Sequence, residues 1–421
     1  MFAWLYQEAK YELMEYWLHL EQAGYSRGEA YLRICVDKSG NAITSASVYS
    51  ACGSFLYESA CFKQAEPLMR LALVTDEIDL GEDDPKVSAQ MSNLAQLLVK
   101  TNRLEEAEGL MREALAIDER HFGKAHPFVG IRLANLGILL WKTDRAVEAG
   151  RLLRQSMDIA EKLYGKDSTE FAVALNNLAV LMQNTNRSAE AEQMMRQALL
   201  LDERHLGLNH PDVAIRLGNL GQLLLATDRP AEAEPLLRKA LEINQQCYGN
   251  ASPNITSSLS DLASVMVRTG RAGAAESLFR KALAIDEGSL EPDNPAVANR
   301  LNNLADVLQI TGNIPEAEAL LRRALRIVQH SYGPDHTKTA TALNNLGTLL
   351  CHSNRPAEAE PMLRRNFEIL LHFRQVNGHA PPHLVDAANN YGEVLLLMGE
   401  SSDQVHARIN QISEPYGIRW P

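Results

Sequence analysis

The chain has 421 residues, 46% of them apolar and 22% charged, with a formal net charge of −12. This composition excludes a disordered chain, and the acidic balance argues against nucleic acid, whose binding rests on clustered Lys and Arg. No apolar run is long enough to span a bilayer, and the five scattered cysteines fit free thiols in a cytoplasmic setting, so neither nucleic acid nor membrane is an expected partner.

In chain order, the first predicted element is an apolar stripe at helical spacing, Phe2, Leu5, Tyr6, Ala9, Leu13, Tyr16, Trp17 and Leu20. Residues 1–43 are expected to form N-terminal capping helices that cover the first helical hairpin after them; a sharper reading gives the stripe to a partner or to self-association. A repeat then begins. Ala-Glu recurs at Ala65, Ala107, Ala191, Ala233, Ala275, Ala317 and Ala359, with Ala149-Gly150 in the one remaining place, and each step is 42 residues (107 − 65 = 42). An arginine keeps the same register at 70, 112, 154, 196, 238, 280, 322 and 364. Glu66 with Arg70, Glu108 with Arg112 and Glu192 with Arg196 read as i,i+4 pairs on an exposed helix face. The spacing predicts eight repeats over 44–377, and then a degenerate ninth repeat and a C-terminal cap over 378–421, including a short helix from Gln404 to Ile412.

Within one unit, Phe171, Leu175, Leu178, Ala179 and Met182 fall on one face of a first helix, and Ala191, Met195, Ala198 and Leu199 on one face of a second. Gly207 then His210-Pro211 punctuate the passage to the next unit. Pro67, Pro235 and Pro361 fall early in second helices, where a late start or a mild kink is expected. Period-two alternation is absent, which excludes a propeller.

Leu178-Ala179, Met182, Ala191, Met195 and Ala198 resemble the tetratricopeptide consensus, and the 42-residue unit with its His-Pro loop resembles the repeats of kinesin light chains and their bacterial relatives. Fewer than ~50 residues precede the array, too few for the heptad region of that family. The resemblance implies an all-α, right-handed superhelical solenoid of about nine tandem helix-turn-helix repeats. It also implies that the first-helix side opposite the buried face lines a concave, peptide-contacting groove.

That side carries Val173, Val180 and an asparagine ladder: Asn93, Asn135, Asn176, Asn177, Asn219, Asn302, Asn303, Asn344 and Asn345. A carboxamide offers donors and an acceptor to an extended backbone whatever its sequence; the same asparagines equally suit bonds to a neighbouring helix that fix repeat geometry. Lys100, Lys142 and Arg268 share one register position near the groove edge and would favour an acidic peptide.

Chemistry is sparse. No Gly-x-x-x-x-Gly-Lys-Ser/Thr, His-Glu-x-x-His or Gly-x-Ser-x-Gly occurs. His121, His126, His205 and His210 read as loop residues inherited with the repeat, and no metal or cofactor is expected. Arg132, Arg216 and Arg300 recur at twice the unit length (216 − 132 = 84), so the array reads as a duplicated two-unit block. The expected function is a non-catalytic protein–protein interaction scaffold holding a peptide or partner protein in its concave groove. The alternative is a regulatory or sensing protein whose array self-associates or controls a separate effector.

Overall fold

A computed structural model of the chain describes residues 46–58, 62–101, 103–143, 145–183, 187–290, 292–377, 381 and 383–420. The N-terminal stripe lies outside them. The described residues form eighteen α-helices and no strand. They fall into two compact units, Met1–Thr227 and Asp228–Pro421. The first holds α1 (Ala46–Glu58), α2 (Phe62–Leu80), α3 (Pro85–Lys100), α4 (Leu104–Phe122), α5 (Pro127–Lys142), α6 (Ala146–Tyr164), α7 (Thr169–Gln183), α8 (Ser188–Leu206) and α9 (Pro211–Ala226). The second holds α10 (Pro230–Tyr248), α11 (Thr256–Arg268), α12 (Ala272–Ser289), α13 (Pro295–Thr311), α14 (Ile314–Tyr332), α15 (Thr337–His352), α16 (Pro356–Asn377), α17 (Leu384–Leu397) and α18 (Ser402–Ser413).

Each unit is a stack of antiparallel hairpins. A first helix packs on its own second helix, and that second helix packs on the next first helix. Phe171, Leu175, Leu178, Ala179 and Met182 of α7 are buried, as are Ala191, Met195 and Ala198 of α8. Small residues mark the closest approaches. A β-carbon on Gly137 of α5 would stand 2.9 Å from Cγ of Leu153 on α6, so glycine lets those backbones come together.

The same local chemistry starts and stops the helices along the array. The residue before α3, α5, α7, α9, α13 and α15 caps each of them. Asp84 accepts from the Lys86 amide at 2.8 Å, Ser168 from Phe171 at 3.2 Å, and Asn294 from Ala296 at 2.9 Å. Histidine fills this place three times: Nδ1 of His126, His210 and His336 accepts from the amides of Phe128, Asp212 and Lys338 at 3.3, 3.2 and 3.0 Å. The His-Pro loop is therefore a cap followed by a first-turn proline. At the other end, Gly207 closes α8 with φ of 84°, a conformation that a side chain would strain.

The internal prolines do not delay the start of their helices. α10 begins at Pro230 and runs 19 residues through Pro235, the same length as α8. The helix does not start late, because Pro67, Pro235 and Pro361 all lie on exposed faces. The carbonyl that each leaves without a donor can be met by water.

Two ionic ladders tie repeat to repeat. On the second helices, Arg112 bridges Glu108 and the next repeat's Glu148, both at 2.9 Å, and Arg145 closes the ring on Glu108 and Glu148 at 2.7 and 2.6 Å. Arg70 and Arg103 make the same ring with Glu66 and Glu106, as Arg322 and Arg355 do with Glu318 and Glu358. The i,i+4 pairs read from the sequence are half of this arrangement. The second ladder has buried aspartates and buried or half-buried arginines. Arg132, Arg216 and Arg300 each donate through Nε to an aspartate of the preceding second helix, Asp118, Asp202 and Asp286, at 2.9 Å. The intervening positions are uncharged: Asn244 donates to Ser258 at 2.9 Å, and Ala160 and Ala174 hold the same register places two units earlier. From Asp118 to Arg300 the 84-residue period is thus an alternation of Asp–Arg pairs and uncharged positions, and one unit before Asp118, Asp76 accepts from Gln90 at 2.9 Å.

Candidate functional site

Stacking consumes one face of each first helix and leaves the opposite one open. In the first unit that open face belongs to α3, α5, α7 and α9, and neighbouring first helices α5, α7 and α9 touch one another. In the second it belongs to α11, α13, α15 and α17.

The asparagines do not form one uniform ladder. Asn93, Asn135, Asn177 and Asn219 are half-buried on the first unit's open face. Asn176 is only 3% exposed, and its Oδ1 accepts from Nδ2 of Asn219 on the next first helix, α9, at 3.1 Å. In the second unit Asn302, Asn303, Asn344 and Asn345 are half-buried. Asn344 Oδ1 accepts from Asn390 Nδ2 at 2.8 Å, while the buried Oδ1 of Asn302 has no partner. Bonds between adjacent first helices thus account for Asn176, Asn219, Asn344 and Asn390. Asn93, Asn135 and Asn177 keep carboxamides on the open face.

The basic positions also differ. Lys100 and Lys142 end α3 and α5 and are exposed. Arg268 ends α11 and lies 2.7 Å from Asp228, which already offsets its charge. The loop histidines are engaged as well: His126 and His210 cap helices, and Nε2 of His121 and His205 faces Asp83 and Asp167 at 3.5 and 3.3 Å. Among the described residues no three His, Cys, Asp or Glu side chains converge as a metal site requires. No helix of the described residues is long and apolar enough to cross a membrane.

Two profiles described as tetratricopeptide repeat match the chain, one over residues 131–204, 170–246, 212–288, 254–330 and 297–372, the other over 87–128. Together they span more than half of the sequence. The chain belongs to the tetratricopeptide repeat family. No curated protein matches it in sequence. Among solved structures, this tetratricopeptide repeat array is similar to a signal transduction ATPase with numerous domains and a tetratricopeptide repeat sensor from Pyrococcus horikoshii, at 14% identity and TM-score 0.54, over 88% of this chain and 52% of that one. It is similar to a Rap protein complexed with competence and sporulation factor, at 16% identity and TM-score 0.53, over 87% and 99%. A putative kinesin light chain from Podosopora anserina with nearly identical tetratricopeptide-like repeats shares 20% identity at TM-score 0.40, over 48% and 96%. The first two likenesses concern the fold alone, and the matching profiles describe a repeat rather than a catalytic domain.

The tetratricopeptide first helices hold one feature that the sequence reading leaves out. A cavity of about 400 Å³ opens on α5, α7 and α9, with Asn177 and Asn219 among its lining residues. Trp141 and Ile138 of α5, Val173 and Val180 of α7 and Ile215 of α9 form its apolar wall. The signal was present: Ile131, Val173 and Ile215 recur 42 residues apart on the face opposite the core (215 − 173 = 42). The second unit differs at the equivalent places, where Asp306 of α13 takes the register of Val180. Its side chain reaches solvent, yet desolvation by the surrounding atoms pushes its pKa up to about 6.

Proposed function

We propose that this protein is a non-catalytic interaction scaffold whose first helices hold a peptide segment of a partner protein. One observation carries this reading: the open face of α5 and α7 retains the half-buried carboxamides of Asn135 and Asn177, which bonds between the helices do not use, beside apolar side chains and a cavity shared with α9. Carboxamides suit an extended backbone, because each supplies a donor and an acceptor. Nearby side-chain pockets then supply the selectivity.

The experiment is affinity capture with the whole chain, followed by competition with overlapping short peptides that tile the captured partner. One tile is expected to displace the partner, and Asn135→Ala with Asn177→Ala is expected to weaken that tile about tenfold, the loss of one or two hydrogen bonds. A partner that no tile displaces, and that binds the double variant unchanged, would show that this face is not the binding surface.

A further inference from the structure

The cavity on α5, α7 and α9 has a chemistry narrower than peptide binding in general. Ile131, Val173 and Ile215 are 51%, 43% and 51% exposed, at one register position in three successive first helices. The fold does not require apolar residues there, since the second unit has Ser257, Asn299 and Thr341 at the same register. Isolated exposed apolar residues are ordinary, but three in one register on successive first helices, two of them lining a concavity, are not. The cavity volume of about 400 Å³ is within the range of sites that engulf a ligand group.

Two charged side chains line the cavity, Arg216 and Asp212. Arg216 is 5% exposed and committed to Asp202 at 2.9 Å. Asp212 is different. Its side chain is 46% exposed, it faces only the His210 ring at 3.6 Å, and it pairs with no Lys or Arg among the described residues. The rim of an apolar cavity thus carries one carboxylate that no protein cation offsets, which complements a cation on the ligand.

We propose that this cavity takes the large apolar side chain of an extended peptide bearing a lysine or arginine within two residues of it, with Asp212 receiving the cation; this rests on the peptide-binding reading above. The selection runs opposite to the acidic ligand suggested by Lys100, Lys142 and Arg268.

Trp141 lines the cavity and reports on its occupancy. The probes are acetylated, amidated Ser/Gly nonapeptides with a central Leu or Ala and, two positions on, Lys or Glu. The Leu/Lys peptide is expected to change tryptophan emission saturably, about tenfold more tightly than the Ala/Lys peptide. The Leu/Glu peptide should bind several-fold more weakly than Leu/Lys. Trp141→Phe should abolish the signal, Val173→Glu the binding, and Ser257→Glu neither. Val173→Thr, close in shape, guards against misfolding and should weaken Leu/Lys several-fold with helical circular dichroism unchanged. Asp212→Lys should reverse the order of Lys and Glu peptides. Equal binding of Leu and Ala peptides, an order of Lys and Glu peptides indifferent to Asp212→Lys, or no response up to about 1 mM overturns the proposal. If partner capture still responds to the asparagine variants in that event, the scaffold reading stands without this pocket; if it does not, both fall.

Discussion

Arg216 donates through Nε to Oδ2 of Asp202 at 2.9 Å, and both side chains are buried between α8 and α9. The other oxygen of Asp202 has no partner. The reason is one residue. At the equivalent position 84 residues earlier Ser88 donates to Oδ1 of Asp118, whereas this repeat has Ala172. Burial accordingly pushes the Asp202 carboxyl above its ordinary pKa, with the Arg216 guanidinium opposing the shift.

Ala172→Ser is therefore expected to supply the missing donor and to stabilise the chain by about 1 kcal/mol, read from urea unfolding. Arg216→Ala should cost about 3–5 kcal/mol, because it leaves a buried carboxylate without its cation. A destabilising Ala172→Ser would mean that the hydroxyl clashes rather than donates.

Glu234 accepts from Arg271 at 2.6 Å and from Arg238 at 2.7 Å, and these two bonds lower its pKa to about 2. A depressed folded pKa contributes stability above the unfolded value near 4.5, which is lost as pH falls through about 2. Both arginines are about half exposed, so screening limits the net worth. Glu234→Gln should cost at most about 1 kcal/mol at pH 7, and the difference from wild type should shrink steadily below pH 4.5. Salt at 1 M should also reduce it.

Asp306 has the opposite sign. Its folded pKa is raised to about 6, so the native state binds more protons than the unfolded chain between about 3.8 and 6. Its charge opposes folding above that window and not below it. Asp306→Asn should raise the urea midpoint at pH 7.5 and leave it unchanged at pH 3.5. A carbon-detected titration of the Asp306 carboxyl in the folded protein would place the midpoint directly.

The repeat interior leaves little room for change at Gly347. A β-carbon there would stand 2.7 Å from Cγ and Cδ2 of Leu363. The branch carbon cannot swing away as a chain end can, so Gly347→Ala should cost about 1–3 kcal/mol through overpacking. Leu363→Ala in the same background should recover part of that loss, and additive losses would show that the two sites do not touch.

His210→Ala should cost about 0.5–2 kcal/mol by removing the Nδ1 acceptor from the start of α9, and His210→Asn should retain most of it. If both variants lost the same amount, the ring would be acting by packing rather than as a cap.

Much of the fold is legible in local signals. The 42-residue recurrence of Ala-Glu sets the repeat, apolar spacing within each unit sets which helix face is buried, and glycines and prolines set the ends. The i,i+4 pair of Glu108 and Arg112 is legible for the same reason, since both partners lie one turn apart on one helix. The bond from Arg112 to Glu148 is not, because it depends on how the next hairpin settles against α4. The asparagines divide in the same way. Their register is a sequence fact, but Asn176 turning inward to meet Asn219 depends on the contact between α7 and α9.

By itself, then, the sequence determined a tandem helical repeat, its period and the helix face left open, because helix formation and amphipathic burial are encoded within a few turns of chain. Only the tertiary structure decided that the 84-residue period from Asp118 to Arg300 is an alternation of Asp–Arg pairs and uncharged positions, that one oxygen of Asp202 lacks a partner, and that Trp141, Val173 and Ile215 surround one cavity. Those relationships join residues tens of positions apart on separate helices, and their distances are set by how side-chain volumes such as Leu153 against Gly137 let the hairpins approach.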